Sequence, residues 1–200
     1  AMLRAGPWGD AAPEKLSLAT LRVAPSGVDL GPLTSQLPAR LQSAERRINL
    51  AIPQIFNDMQ RLTAALPALT ALGYRLIGRR DVRDNNSWMH NHHRLVKGKR
   101  RCTLLVSPDD AQREGWQAGT NLRVVSAAGS VWAPVEISDA MMPGVVSLPH
   151  GYGHGRQGGR MNIADQHAGV SCNDVTDNAY IDALSGNAAI NGVPIELRAS

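Results

Sequence analysis

The stretch "CTLLVSPDDAQREGWQAG", Cys102 to Gly119, reads in two halves. "CTLLVS" is a short, nearly continuous apolar run, which predicts a strand covered on both faces. At Ser107 the signals change. A serine stands at the N-cap position and Pro108 at the first helical position, and Asp109 and Asp110 sit where the helix dipole is positive. Together they predict a short helix that Gly115 or Gly119 closes. In that setting Asp109 and Asp110 are helix-start residues rather than a carboxylate pair for acid–base work.

The segments on either side repeat this texture of short strands and marked turns. Upstream, "YRLIG" from Tyr74 is strand-like. Downstream, "NLRVVSAAGSVWAPVEIS" predicts a hairpin turning at "AAG", with Leu122 and Val124 on one face and Val131, Val135 and Ile137 in the return arm. "GVVSL" and "VPIELRA" are the last clear strands. Residues 71–200 are thus expected to form a mainly β domain, a barrel or sandwich with a few short helices. Residues 1–70 read as a connector. "VAPSGVDLGPLTSQLPARL" is punctuated by Pro and Gly, and "IPQIFNDMQRLTAALPAL" places Ile55, Met59, Leu62 and Leu66 at helical spacing. Pro53 suits that helix's first turn, and Pro67 is expected to end it.

Composition agrees with one domain plus an extension. The chain has 200 residues, 43% of them hydrophobic but only 4% aromatic, so the core must be built from Leu, Val, Ile and Ala. Nineteen Gly and twelve Pro fit many turns better than a helical bundle. Cys102 and Cys172 match no metal or redox spacing and are expected to be buried free thiols in a reducing compartment, which for this chain means the cytoplasm. No secretory signal is legible, and no apolar run reaches the length of a membrane span, so a membrane partner is not expected.

The formal net charge is +4, unevenly spread: Arg75 to Arg101 carries nine Lys or Arg against Asp81 and Asp84, a local net of +7. Such a block favours an anionic ligand or partner, and a solvated basic surface is the competing reading. Inside it lies "RRDVRDNNSWMHNHH", Arg79 to His93, which has no hydrophobic period and reads as a loop. Two further loops share its composition of glycine with amides, imidazoles and hydroxyls: "LPHGYGHGRQGGR", Leu148 to Arg160, and "HAGVSCNDVTDNAYIDALSG", His167 to Gly186. Glycine lets a backbone approach a ligand closely, and loops on a rigid β scaffold are where binding groups usually sit.

"SGVDLGPL", "LIGRRDVRDNNSWMHN", "LLVSPDDAQREGWQAG", "VVSAAGSV", "PGVVSLPHGYGH" and "SCNDVTDNAYIDALSG" follow one another in an order that resembles the C-terminal portion of the molybdopterin oxidoreductases, the formate dehydrogenase and dimethyl sulfoxide reductase superfamily. The resemblance runs over nearly the whole chain. It implies a six-stranded double-psi β-barrel that closes over molybdopterin guanine dinucleotide, with Mo or W held in the complete oxidoreductase. It also implies cofactor contacts in the loop from Gly78 to Asn91. There Arg79 and Arg80 would grip phosphate oxygens through forked donors, Asn86, Ser87 and Asn91 would meet the mixed edges of pterin and guanine, and Trp88 would cover a flat ring. His90 would donate to the cofactor. His150, Gly151 and Tyr152 match the family's loop after its late strand, with His154 near them. Asn173 falls at a cofactor-contacting asparagine, with Asp174 and Asp177 beside it, and Asn191 falls near a further contact position.

The family's metal ligand lies in an earlier domain, and neither Cys102 nor Cys172 matches it. The resemblance therefore implies a terminal domain whose partners are the N-terminal domains of the same enzyme, on the same chain or on another subunit, and which has no turnover and no metal by itself. Two other classes stay open. One is a stand-alone barrel that binds another ligand or a partner protein. The other is a nucleic-acid-binding domain using the +7 block, disfavoured because the aromatics are few and not interleaved with the basic residues. Arg83, Arg94, Lys97 and "KGKRR" read as a solvated loop. His92 and His93 are expected to be exposed, and "HNHH" lacks the Cys or carboxylate partners a zinc site needs.

Overall fold

A computed structural model of the chain describes residues 1–13, 15–69 and 73–199. By contacts the chain divides into two compact units, Ala1–Leu50 and Ala51–Ser200.

The first unit is mostly extended. It holds two short helices, α1 (Met2–Ala5) and α2 (Leu18–Val23), the second capped by Ser17, whose hydroxyl accepts from the Thr20 amide at 3.2 Å. Neither helix was expected from the sequence; each is too short to show an apolar period. The rest follows the Pro and Gly punctuation. Asp29 closes an Asx turn on the Gly31 amide at 2.8 Å.

The second unit opens with α3 (Pro53–Leu69), the helix expected from the spacing of Ile55, Met59, Leu62 and Leu66. It groups with the barrel rather than with the extended segment. Pro67 does not end it, because the helix runs on to Leu69. The expected boundary at residues 70–71 lies outside the described residues.

The barrel comprises β1 (Tyr74–Arg79), β2 (Leu104–Val106), β3 (Asn121–Val125), β4 (Ser130–Ile137), β5 (Val145–Pro149) and β6 (Val193–Ala199), closed in the order β1-β5-β2-β4-β3-β6. It is the six-stranded barrel that the resemblance implied. Pairing is mixed: β1 runs parallel to β5 with Leu76 opposite Val146, β2 runs parallel to β4 with Leu104 opposite Val135, and the remaining pairs are antiparallel. Closure leaves no unpaired edge. The interior is filled by Leu76, Leu104, Val106, Leu122, Val124, Val131, Ala133, Val135, Val146, Leu148 and Ile195, each contributing about 1.5–3 kcal/mol where a Leu, Val or Ile side chain leaves water. No aromatic ring lies among them; Tyr74 and Trp116 pack from the flank, ring centroids 5.5 Å apart.

The β3–β4 hairpin has the expected alternation, with Val124 opposite Val131 and Leu122 opposite Ala133. Ile137 lies in the return arm, as expected, and is exposed at the strand end. Between β2 and β3 lies α5 (Pro108–Glu114), ended by Gly115 in the left-handed region at φ 70°. Ser107 caps it, accepting from the Asp110 amide at 3.1 Å. Asp110 does more than start the helix. Its fully buried carboxylate accepts from the Gly144 amide at 2.7 Å, tying the helix to the turn before β5. Two four-residue helices, α4 (His93–Val96) and α6 (Asn162–Asp165), and a 3-10 turn at Cys172–Val175 complete the unit. Both cysteines are buried and free, as expected.

Candidate functional site

Strand direction decides which loops meet. Since β1 and β5 are parallel, the segments leaving Arg79 and Pro149 emerge at one rim of the barrel. β6 runs against β1, so the turn that precedes it returns to this rim, and Asn191 Oδ1 accepts from the Gly78 amide at 2.8 Å. β2 runs against β5 and β4 runs with β2, so residues 101–103 and the β3–β4 hairpin open at the same end. The carbonyl of Asp174 sits 2.5 Å from where a Cβ on Gly129 of that hairpin would lie. Loops separated by more than a hundred residues therefore share one face.

Glycines set how closely they pack. A Cβ at Gly78 would lie 2.1 Å from His150 Nε2, so the imidazole crosses the strand where glycine leaves room, and a larger residue would push it aside. A Cβ at Gly151, which has φ 92°, would lie 2.0 Å from the Asn86 carbonyl oxygen. The first loop turns tightly there: Asn85 and Asn86 are both left-handed, at φ 44° and 62°, which asparagine tolerates better than most residues. Asp81 Oδ1 opens the turn by accepting from the Arg83 amide at 2.8 Å.

The predicted residues divide into an outward set and an inward set. Outward, Arg80 is exposed and donates to Asn86 Oδ1, and Trp88 is 84% exposed, with Ser87 beside it. His150 is half-buried, and burial first, then the Arg80 charge, lowers its pKa, so the imidazole is neutral near pH 7. Asn173, Asp174 and Asn191 are exposed, Asp174 accepting from Arg156.

The inward set is committed to the fold. Arg79 lies on the outer wall of the barrel, where its guanidinium donates to the carbonyls of Ser147 (2.5 Å), Arg101 (3.0 Å) and Thr103 (2.8 Å) and to Thr103 Oγ1 (3.0 Å). Burial lowers its pKa, although a guanidinium stays charged. Asn91 caps α6, accepting from the amides of Ile163 and Ala164 at 3.0 and 3.1 Å. His90 is only 2% exposed; its Nδ1 meets His154 Nε2 at 2.7 Å and its Nε2 faces Asp84 Oδ1 at 3.4 Å. Asp84, 1% exposed, accepts from Arg101 Nε at 2.7 Å and from the Tyr152 hydroxyl at 2.9 Å. Tyr152 stacks on His90 with centroids 4.3 Å apart, and burial followed by the Asp84 carboxylate raises its phenol pKa.

Asp84, Arg101, Thr103 and His154 hold the loops, and of these the sequence singles out only His154. One signal was available: Asp84 is one of two acids in a block of nine bases, a setting in which an acid is usually paired. Arg101, read as solvated with the "KGKRR" run, is mostly buried in that pair, whereas Lys99 is exposed and bound to Glu136 at 2.5 Å. His92 and His93 are exposed, as expected. Among the described residues no His, Cys, Asp and Glu group could hold a metal ion.

Burial first, then the His154 and Arg101 charges, lower the His90 pKa against the pull of Asp84. In the unfolded chain the imidazole takes its proton near 6.5, and in the folded protein only at lower pH. The unfolded state therefore binds more protons in that window. Stability from this group is full above about pH 6.5 and declines as the pH falls through the folded value. Melting curves between about pH 8 and 5 are expected to show this decline, and His90→Gln to flatten it.

An exposed guanidinium, several amides and an indole gathered round two glycine contacts suit a ligand with phosphate, amide-edged rings and a flat face. Comparison with known proteins points the same way. Residues 74–194 match the family described as molydopterin dinucleotide binding domain. The chain is 29% identical over 111 residues to a subunit of the tetrathionate reductase of Salmonella typhimurium, covering 47% of this chain and 11% of that protein. It is 28% identical over 114 residues to the molybdopterin-containing subunit of the arsenate respiratory reductase of Chrysiogenes arsenatis, covering 54% of this chain and 13% of that one. Its fold is similar to that of acetylene hydratase from Pelobacter acetylenicus, with a TM-score of 0.54 at 18% identity over 72% of this chain and 20% of the other. The chain thus spans a tenth to a fifth of the length of these relatives. A barrel of the expected topology, loops converging on one rim and a match covering more than half of its residues establish that the chain belongs to the molydopterin (molybdopterin) dinucleotide-binding domain family.

Proposed function

We propose that this chain is the cofactor-closing domain of a larger molybdopterin oxidoreductase, and that it contacts molybdopterin guanine dinucleotide through the rim where the loops after β1 and β5 meet. The observation that supports this reading is the backbone-close packing of Gly151 on Asn86, which brings the loop carrying Arg80, Ser87 and Trp88 against the one that follows His150. In this reading Arg80 grips pyrophosphate oxygens, Asn86, Ser87, Asn173 and Asn191 meet ring edges, and Trp88 lies against a flat ring. His90, Asn91 and Tyr152 support the loops from behind, and Arg79 braces the strands beneath them. When bound, the cofactor supplies the metal-centred redox chemistry, Mo or W; the residues of this chain bind it and exclude water. Partner domains cover the exposed indole, and the substrate is set outside this chain.

Equilibrium dialysis of the chain against the metal-free dinucleotide tests the reading. Saturable binding is expected. Arg80→Ala should weaken it about tenfold, through loss of a charge-assisted contact. Lys99→Ala, away from the rim and paired with Glu136, should leave it unchanged. Absence of saturable binding by the folded chain, or equal effects of the two substitutions, would defeat the assignment.

A further inference from the structure

The contacts behind the rim fix where the protons lie. Asp84 is a carboxylate that already accepts from Arg101 and from the Tyr152 hydroxyl, so it can offer His90 only an acceptor. His90 Nε2 makes no hydrogen bond, but it lies 3.4 Å from Asp84 Oδ1, where a bare lone pair would face a negative oxygen and an N–H would face it favourably. The proton of neutral His90 therefore belongs on Nε2. Its Nδ1 is then an acceptor, and the 2.7 Å contact to His154 Nε2 requires His154 to be the donor. That leaves the lone pair of His154 on Nδ1. His154 is half-buried where His90 is sealed, and the two rings stand edge to face at 88°. The charged and titratable groups facing His90 are Asp84, Arg101, Tyr152 and His154, and the first three bond one another, which leaves His154 as its proton-exchanging neighbour.

We propose that Asp84, His90 and His154 form a proton relay in which His154 is the outer, proton-exchanging end and Asp84 the fixed anionic stop. One proton arrives at His154 Nδ1, and the proton on His154 Nε2 passes to His90 Nδ1. His154 is left neutral with its proton on Nδ1, and His90 becomes an imidazolium against the Asp84 carboxylate. One N–H bond forms and one breaks at His154, one forms at His90, and the net result is a single positive charge carried inward. The reverse sequence returns it. His90, together with Tyr152 and Arg101, also forms the inner wall of a cleft of about 410 Å³ bordered by Lys99, Cys102 and Gly169, so the inward proton reaches the wall of a second, solvent-facing space. Use of this relay in proton-coupled redox chemistry rests on the proposed cofactor reading; the relay itself does not. Asp84 acts here as a positioning residue.

Nitrogen-15 NMR of the histidine-labelled chain at about pH 8 tests the assignment. His90 should carry its proton on Nε2, and a coupling should run across the hydrogen bond from His90 Nδ1 to His154 Nε2. Asp84→Asn should lower the Nε2-protonated fraction of His90. His154→Phe should slow about tenfold the exchange of His90 between its neutral and imidazolium forms, read from line broadening of its ring nitrogens, since local opening then replaces direct transfer at Nδ1. If that variant does not fold, His154→Gln serves, because its amide can donate to His90 but cannot take up and pass a proton. A His90 proton found on Nδ1, or exchange unchanged in a folded His154 variant, overturns the relay. Failure to bind the dinucleotide would leave these readouts unmoved, so the two readings fall separately.

Discussion

Arg79→Ala is expected to cost the barrel about 1.5–3 kcal/mol, because it strips a half-buried guanidinium from its acceptors. The acceptors are the carbonyls of Ser147, Arg101 and Thr103, which belong to β5 and to the segment entering β2. Arg79 thus laces together three neighbouring parts of the wall at the point where the rim loops begin. Thr103 would also lose a donor, although its hydroxyl keeps Glu136 at 2.7 Å. Urea titration is the measurement. Lys99→Ala is the control, since its pair with Glu136 is exposed on the lysine side and should change stability by no more than about 1 kcal/mol. Arg79→Ala is therefore expected to lower cofactor retention as well, but by loosening the rim. The distinction is measurable: at low temperature, where the folded fraction recovers, Arg79→Ala should regain dinucleotide affinity while Arg80→Ala should not. A stability loss of Arg79→Ala no larger than that of Lys99→Ala would show that the wall does not depend on the guanidinium.

Arg79 and Arg80 also show what the sequence could and could not tell. Adjacent in the chain, they look alike as forked donors. Strand alternation separates them: Arg79 is the last residue of β1 and lies flat on the outer wall, whereas Arg80 has left the strand. Residue type could not make that distinction, because it needed the strand's last residue and its phase. The strands themselves were legible, since short apolar runs bounded by Gly, Pro and capping residues have few alternatives. Their order around the barrel was not. The parallel pairing of β1 with β5, across some seventy residues, leaves no mark in the sequence of either strand. The inward histidine was hidden for a similar reason. "SWMHN" reads as polar loop, and nothing local says that Asp84, four residues before Trp88, anchors His90 from beneath. Buried polar networks are assembled from distant residues, and their pairing leaves little trace in a window. Asn91 could be guessed as a cap only once α6 was known to begin more than seventy residues later.

Gly151→Ala is expected to have the largest effect on the site itself. Gly151 follows His150 at the exit of β5 with φ 92°, in the region where a side chain is strained whatever the surrounding space. Here there is also no space. The added Cβ would stand 2.0 Å from the Asn86 carbonyl oxygen, 2.5 Å from its carbon and 3.0 Å from the Ser87 amide nitrogen. All three are backbone atoms of a tight turn, which already holds two left-handed asparagines and cannot yield by rotating a side chain. The loops must separate by about 1 Å or more, as a Cβ and a carbonyl oxygen need about 3 Å between centres. Arg80 is bound to Asn86, so the displacement carries off the guanidinium together with Ser87 and Trp88. The barrel core, filled by residues of the strands, should survive with a loss of about 2–3 kcal/mol from strain. Dinucleotide affinity should fall by about a hundredfold or more, because several contacts are misplaced at once rather than one removed. Gly158→Ala is the matched comparison: it also has a positive φ, at 89°, but its Cβ would meet nothing within 4 Å, so it carries the backbone strain without the clash. Dialysis and urea titration on the pair separate the two contributions. Equal losses of affinity in both variants would mean that the approach of Gly151 to Asn86 does not set the rim, and the site proposed on that approach would fall with it.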